Sequence, residues 1–185
     1  MSNLKELVES YTPKTYIKVK RNEQAYRETY TWIGTEIQRY YEMYQNSIEG
    51  TQTARLTRDM LEKLIRRYHD YAIHGDIGAH YRQTGIVQGD TIFEHVIPAK
   101  DVLGMLLEGK LTVKQALNAP TCLISKADDV KLRKSGLGKL NPNPWFFFRR
   151  YQVLNSTFNT YNGQNVDLND WTLEDHYRFF NIVEE

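Results

Sequence analysis

The chain has 185 residues, of which 41% are hydrophobic and 25% charged, which excludes a disordered or fibrous protein and leaves enough apolar material for one substantial core. A formal net charge of +1 excludes a global basic field for nucleic acid or membrane, so any such partner has to be met by a local patch. The lone Cys122 excludes an internal disulfide and a multi-cysteine zinc ribbon, and it suits a reducing compartment. The opening MSNLKELVES carries no apolar signal core and no stretch approaches membrane-spanning length, so a cytoplasmic location is expected.

In chain order, residues 1–21 read as a short helix followed by the alternating extended run TYIKVK. A long helix follows, capped by Asn22 and closed by Gly50, with Tyr26, Tyr30, Ile33, Ile37, Tyr40, Tyr41 and Tyr44 at helical spacing. A second helix is expected to start between Thr57 and Met60 and to stop at Gly75, with Leu56, Met60, Leu64 and Tyr68 on its inner face. Two extended runs around QGD (88–90) then predict an antiparallel hairpin over 79–98. Residues 101–118 read as two short helices, the second capped by Thr112. APTCLIS (119–125) reads as a buried strand, and KADDVKLRKSG as a helix ending at Gly136. LGKLNPNP is a loop, WFFFRRYQVLN is helical after Pro144, residues 155–170 are loop, and Thr172 caps a C-terminal helix. The expected class is α+β, mainly helical with a small antiparallel hairpin. Its regions are an N-terminal helical one (1–75), a central core (76–140) and a C-terminal aromatic and helical extension (141–185), joined in one compact domain.

TIFEHVIP (91–98) asks why an acid and an imidazole interrupt a run otherwise suited to a buried strand. Adjacent strand residues point to opposite faces, so Glu94 and His95 are either a satisfied polar pair or the start of a site. Histidine titrates near neutrality and can take a proton from water, while a carboxylate can hold a hard divalent cation. No phosphate-binding glycine loop, zinc-protease helix, nucleophile elbow or calcium loop is present. Cys122 reads as a small core residue rather than a nucleophile. His74, Asp76 and His80 in HGDIGAH are either a polar turn or a metal cluster, and His80 would begin the strand pairing with 91–97.

EHVIP resembles the first motif of the HNH (ββα-metal) endonucleases, in which an acid–histidine pair ends a strand shortly before a proline. NAPTCLISKADDVKL (118–132) resembles the family's second half, an Asn-containing loop, a short strand and a helix with the last metal ligand; together the likeness covers roughly residues 79–135. The resemblance implies a ββα-metal-like core and phosphodiester hydrolysis of nucleic acid with one divalent ion, Mg²⁺ or Mn²⁺. By it, His95 is the base that activates water, Asn118 orients that base, and Glu94 and Asp128 hold the metal, with Asp129 as the alternative ligand. Asp128 stands where the family usually has histidine, and residues 99–117 form a longer insertion than in compact members. Such small proteins are often seen in phages.

Lys126, Lys131, Arg133, Lys134, Lys139, Arg149 and Arg150 crowd a segment with only two acids, as a phosphate-binding stripe would. The aromatics of NPWFFFRRYQ read as core. DNA is the expected partner ahead of RNA, no membrane is expected, and a homo-oligomer is compatible with the sequence. Two rival readings are a catalytically inactive nucleic-acid-binding module on the same fold, and a self-associating assembly protein built on the tyrosine stripe of the long helix.

Overall fold

The computed structural model describes residues 3–11, 29–87 and 89–182; the expected cap Asn22, the run TYIKVK, Tyr26 and the side chain of Tyr30 lie outside them. Helix α1 (Leu4–Glu9) is capped by Asn3 and buries Val8. α2 (Thr29–Gln45) and α3 (Gln52–Tyr68) form a helical pair. In α2, Ile33 and Ile37 are buried, and Tyr40, Tyr41 and Tyr44 pack against the same core, so this part of the stripe is used within the fold rather than left for a second copy.

α3 starts earlier than expected, because the Thr51 side chain accepts from the Ala54 amide and caps it there. Its inner face is Ala54, Thr57, Leu61, Leu64 and Ile65, while Leu56 and Met60 stay exposed. Two neighbouring stripes on this helix both end in apolar residues at Leu64, and the one that includes Thr57 and Leu61 turns inward. Gly75 does not end the element: the helix widens into a π-helical segment over His69–His74, passes through α4 (Gly75–Ile77) and stops at Gly78, whose φ is +78°. The π segment buries His69, Asp70, Tyr71 and Ile73.

The five strands are β1 (Tyr81–Gln83), β2 (Thr91–His95), β3 (Thr121–Ser125), β4 (Phe158–Thr160) and β5 (Asn165–Val166), in the order β2-β3-β1-β4-β5. The expected hairpin is corrected: β1 and β2 are not neighbours, because β3 lies between them, antiparallel to β2 and parallel to β1. Thr121 to Ile124 are all buried, and a strand buried on both faces takes the interior of a sheet. β4 and β5 come from the stretch expected to be loop. Their short antiparallel pair turns at Asn162-Gly163, with Gly163 at φ +92°.

Between β2 and β3 lie α5 (Ala99–Leu107) and α6 (Val113–Leu117), the latter opened by a Thr112–Gln115 capping box. After β3, Ser125 caps α7 (Lys126–Lys134), and Gly136 in the left-handed region follows it. Phe147–Leu154 is helical as expected, though in 3₁₀ rather than α geometry, and α8 (Leu173–Phe179) opens with a Thr172–Asp175 capping box. One hydrophobic cluster runs from Val8 through Tyr81, Ile124, Phe147, Phe148 and Tyr151 to Ile182. The class is α+β, with a five-stranded mixed sheet in place of a hairpin. Among the described residues no helix is long and apolar enough to cross a membrane.

Candidate functional site at the end of strand β2

Strand alternation separates the two residues that motivated the site. Glu94 pairs with Cys122 across the ladder and His95 with Thr121, so the two side chains lie on opposite faces of the sheet. On the first face, Arg150 Nη2 donates to Glu94 Oε1 at 2.9 Å. The arginine comes from the 3₁₀ segment and its side chain is fully buried; it also donates to the Val96 carbonyl at 2.7 Å and the Leu137 carbonyl at 2.6 Å. Glu94 thus neutralises a buried guanidinium. Arg150, expected among the phosphate-facing cations, is interior and clamps the end of β2. Cys122 beside them is buried, and its thiol is pushed well above the ordinary range by burial and then by Glu94, which suits an inert core residue.

Asp128 lies in the first turn of α7, also buried. It accepts from Gln83 Nε2 at 2.5 Å and Ser156 Oγ at 3.2 Å, and pairs with Lys131 at 2.6 Å. Burial alone would raise its pKa, but the hydrogen bonds from Lys131, Gln83 and Ser156 together hold it below the usual carboxylate value. Gln83 also accepts from the Ser125 amide at 2.8 Å, so the carboxylate ties α7 to β1 and to the entry of β4. Asp129 is paired with Arg133. Each carboxylate expected to hold the ion is engaged by different partners within the chain. Among the described residues no three His, Cys, Asp or Glu side chains are grouped to hold a metal.

The other face carries His95, with His69 and His74 nearby. The His95 ring lies 5.0 Å from that of His69 and 5.6 Å from Phe93, and His74 lies 4.7 Å from the same Phe93. His80 accepts from the Thr121 amide at Nδ1 (3.3 Å) and sits 4.9 Å from His176. His80 therefore reaches the neighbourhood of β2 through Thr121 of β3, not by pairing with 91–97. His74 and His80 have different partners, so the trio of HGDIGAH is not gathered on one point.

His176 belongs to a hydrogen-bond chain whose direction can be assigned. Its Nε2 lies 2.7 Å from the Asn118 carbonyl, which can only accept, so Nε2 carries the proton. Nδ1 then accepts from the Tyr81 hydroxyl at 2.8 Å, and that hydroxyl accepts from Trp171 Nε1 at 2.9 Å. Burial, with a smaller contribution from His69, lowers the His176 pKa to about 3 against the Asn118 bond that raises it; His80 is likewise pushed well below 6.5, first by burial and then by His176 and His69. Asn118 takes part through its backbone carbonyl. Its side chain instead closes α6, donating to the Lys114 carbonyl at 2.9 Å.

No protein-family model, curated protein or solved structure matches this chain. The cations of the stripe divide by exposure. Lys126, Lys131, Arg133, Lys134, Lys139 and Arg149 are exposed, while Asp128 and Asp129 turn inward. Lys126 reaches Gly89 O at 3.0 Å and Asp90 at 3.6 Å, and the Arg149 guanidinium lies 3.8 Å over the Phe146 ring. Two features went unread in the sequence. His176 is the fourth residue of an aromatic helix and gave no signal of its partners. Arg82 is a charged residue between two buried ones in β1, an alternation that marks the open face of a sheet.

Proposed function

We propose that this protein binds nucleic acid through the outer face of α7 and the turn that follows it. What supports the reading is the sorting of charge along residues 126–149: both acids are buried and six cations are exposed. Asp128 and Asp129 compensate Lys131 and Arg133 from the inside, whereas Lys134 and Lys139 stand clear on the outside. A phosphate backbone approaching this side meets positive ends of side chains and no exposed carboxylate of the segment.

A second reading is phosphodiester hydrolysis with His95 as the base. In its favour, β2, antiparallel β3 and α7 follow one another in the strand–strand–helix order of the HNH resemblance, with His95 at the end of the first strand before Pro98. It requires Glu94 to exchange Arg150 for another partner.

One titration tests both. Labelled DNA and RNA are followed by fluorescence anisotropy at rising salt, and the same mixtures are run on a gel after incubation with Mg²⁺, Mn²⁺ or EDTA. Binding is expected to weaken with a log–log salt slope of about −2 to −4, as three to five phosphate contacts give. The double substitution Lys131→Ala/Lys134→Ala should make that slope shallower by one or two. Binding that ignores salt, or no binding to either polymer, rejects the proposal. Metal-dependent cutting that is lost in His95→Ala would put the second reading first.

A further inference from the structure

The register of the sheet sets five residues in one row: Phe93 opposite Leu123, Leu123 beside Arg82, Arg82 opposite Asn159, and Asn159 opposite Asn165. Cross-strand partners share a face, and this is the face of His95, away from the buried Tyr81, Phe158 and Val166. The row is covered at its β2 end, where Leu123 is buried and Phe93 half-buried. It opens toward β5, where Arg82 and Asn165 are exposed and Asn159 is half-buried.

The open part is chemically unspent. Among the described residues the side chains of Arg82, Asn159 and Asn165 make no hydrogen bond or ion pair, and no carboxylate lies within ion-pair distance of the Arg82 guanidinium. The guanidinium passes over Gly78, where a Cβ would already lie 3.8 Å from Nη2. Neighbouring strands are about 4.8 Å apart, so the three polar side chains form a line roughly 10 Å long. Just past β4, Tyr161 is 53% exposed with its ring 5.8 Å from that of Phe180. Phe180 also contacts the ring of His80, which precedes β1, so an aromatic surface borders the polar row.

We propose that the open face of β1, β4 and β5 holds one unpaired strand of nucleic acid. Arg82 contacts a phosphate, Asn159 and Asn165 meet base edges, and Tyr161 stacks on a base. The inference rests on the nucleic-acid reading above and names its substrate class. An unpaired positive charge calls for an anion, and amides beside it present both donors and acceptors, as a base edge does. A duplex keeps its bases inside and would offer this flat surface only phosphates, whereas a single strand can lay its bases on an aromatic ring.

The experiment measures affinity by anisotropy for a short labelled single strand of mixed sequence and for its duplex, across a salt series. The proteins are the parent, Arg82→Ala, Tyr161→Ala and Lys131→Ala/Lys134→Ala, each checked for an unchanged melting curve. The parent should bind the single strand more tightly than the duplex. Arg82→Ala should weaken single-strand binding and make the salt slope shallower by about 0.7, the value of one lost phosphate contact. Tyr161→Ala should weaken it by about tenfold with the slope unchanged, because stacking releases no counterion. If the α7 variant loses affinity while Arg82→Ala and Tyr161→Ala bind like the parent, the sheet-face proposal is overturned and the α7 reading stands. Preference for the duplex also overturns it. A parent protein that binds neither probe at low salt overturns both.

Discussion

Arg150 and Glu94 show how far a residue's role can lie from its place in the sequence. Beside Arg149 and a run of aromatics, Arg150 reads as one more solvent-facing cation, since a charge defaults to water unless something pays for its burial. The payment comes from Glu94, more than fifty positions earlier, and from the Val96 and Leu137 carbonyls. Removing one member of a buried pair leaves the other charged and unsolvated, which typically costs about 3–5 kcal/mol. Glu94→Ala should therefore lower stability by about 3 kcal/mol in urea unfolding, and Arg150→Met by about 4, because it also strands backbone acceptors. A loss under about 0.5 kcal/mol for Glu94→Ala would mean the pair is not the one that matters. The same samples separate the pair from a metal ligand. If Glu94 held an ion, Mg²⁺ would raise the midpoint of the parent and not of the variant.

At the scale of elements, legibility followed the range of the signal. The caps Thr112 and Thr172, the stop at Gly136 and the buried strand around Cys122 were readable because each rests on a few adjacent residues. The pairing of β1 with β3 was not, since its partners lie about forty residues apart and neither strand carries a mark for the other. β4 and β5 were missed although Asn162-Gly163 between Phe158 and Val166 is a hairpin signal, because strands of two and three residues fall below any periodicity. Of the candidate site, the prominence of Glu94 and His95 and their placement on opposite faces were legible, but not the partners each meets there, Arg150 for the acid and the His69 and Phe93 rings for the imidazole.

The docking of α8 carries a pH dependence. His176 and His80 are held neutral in the fold, and an unfolded imidazole titrates near 6.5, so below that pH the unfolded chain binds more protons. Their stability contribution is complete above about pH 6.5 and is lost progressively as pH falls, for His176 down to about 3. Asp128, also lowered, acts only as pH falls below the ordinary carboxylate value, outside the upper part of this window. Each histidine gives a slope of about 1.4 kcal/mol per pH unit, so the urea midpoint should drop clearly between pH 7 and 5.5. His176→Gln keeps a donor for Asn118 and an acceptor for Tyr81 but cannot titrate, and it should flatten that slope. A midpoint that is level across this range would refute the account.

For the whole molecule, the question is whether the central stretch 76–140 could stand as a core by itself. It contains β1, β2, β3 and α7, the order that carries the HNH resemblance, yet much of what buries those elements comes from outside it. Residues 141–185 supply β4 as the other neighbour of β1, Phe147, Phe148 and Tyr151 beneath the sheet, and Arg150 for Glu94. Residues before 76 supply Leu61, Ile65 and His69 on the remaining side. A piece of this size, roughly 60 residues, buries only about 60% of its unfolded surface even when its core is its own. Cut free, β1 would expose a ladder edge and Glu94 would keep its charge without a guanidinium. The expected result is that a 76–140 fragment shows no cooperative melt by circular dichroism, while the full chain unfolds in one transition that coincides by tryptophan fluorescence and circular dichroism. A fragment that melts cooperatively would make the central stretch a domain, with the helices on either side as additions to it.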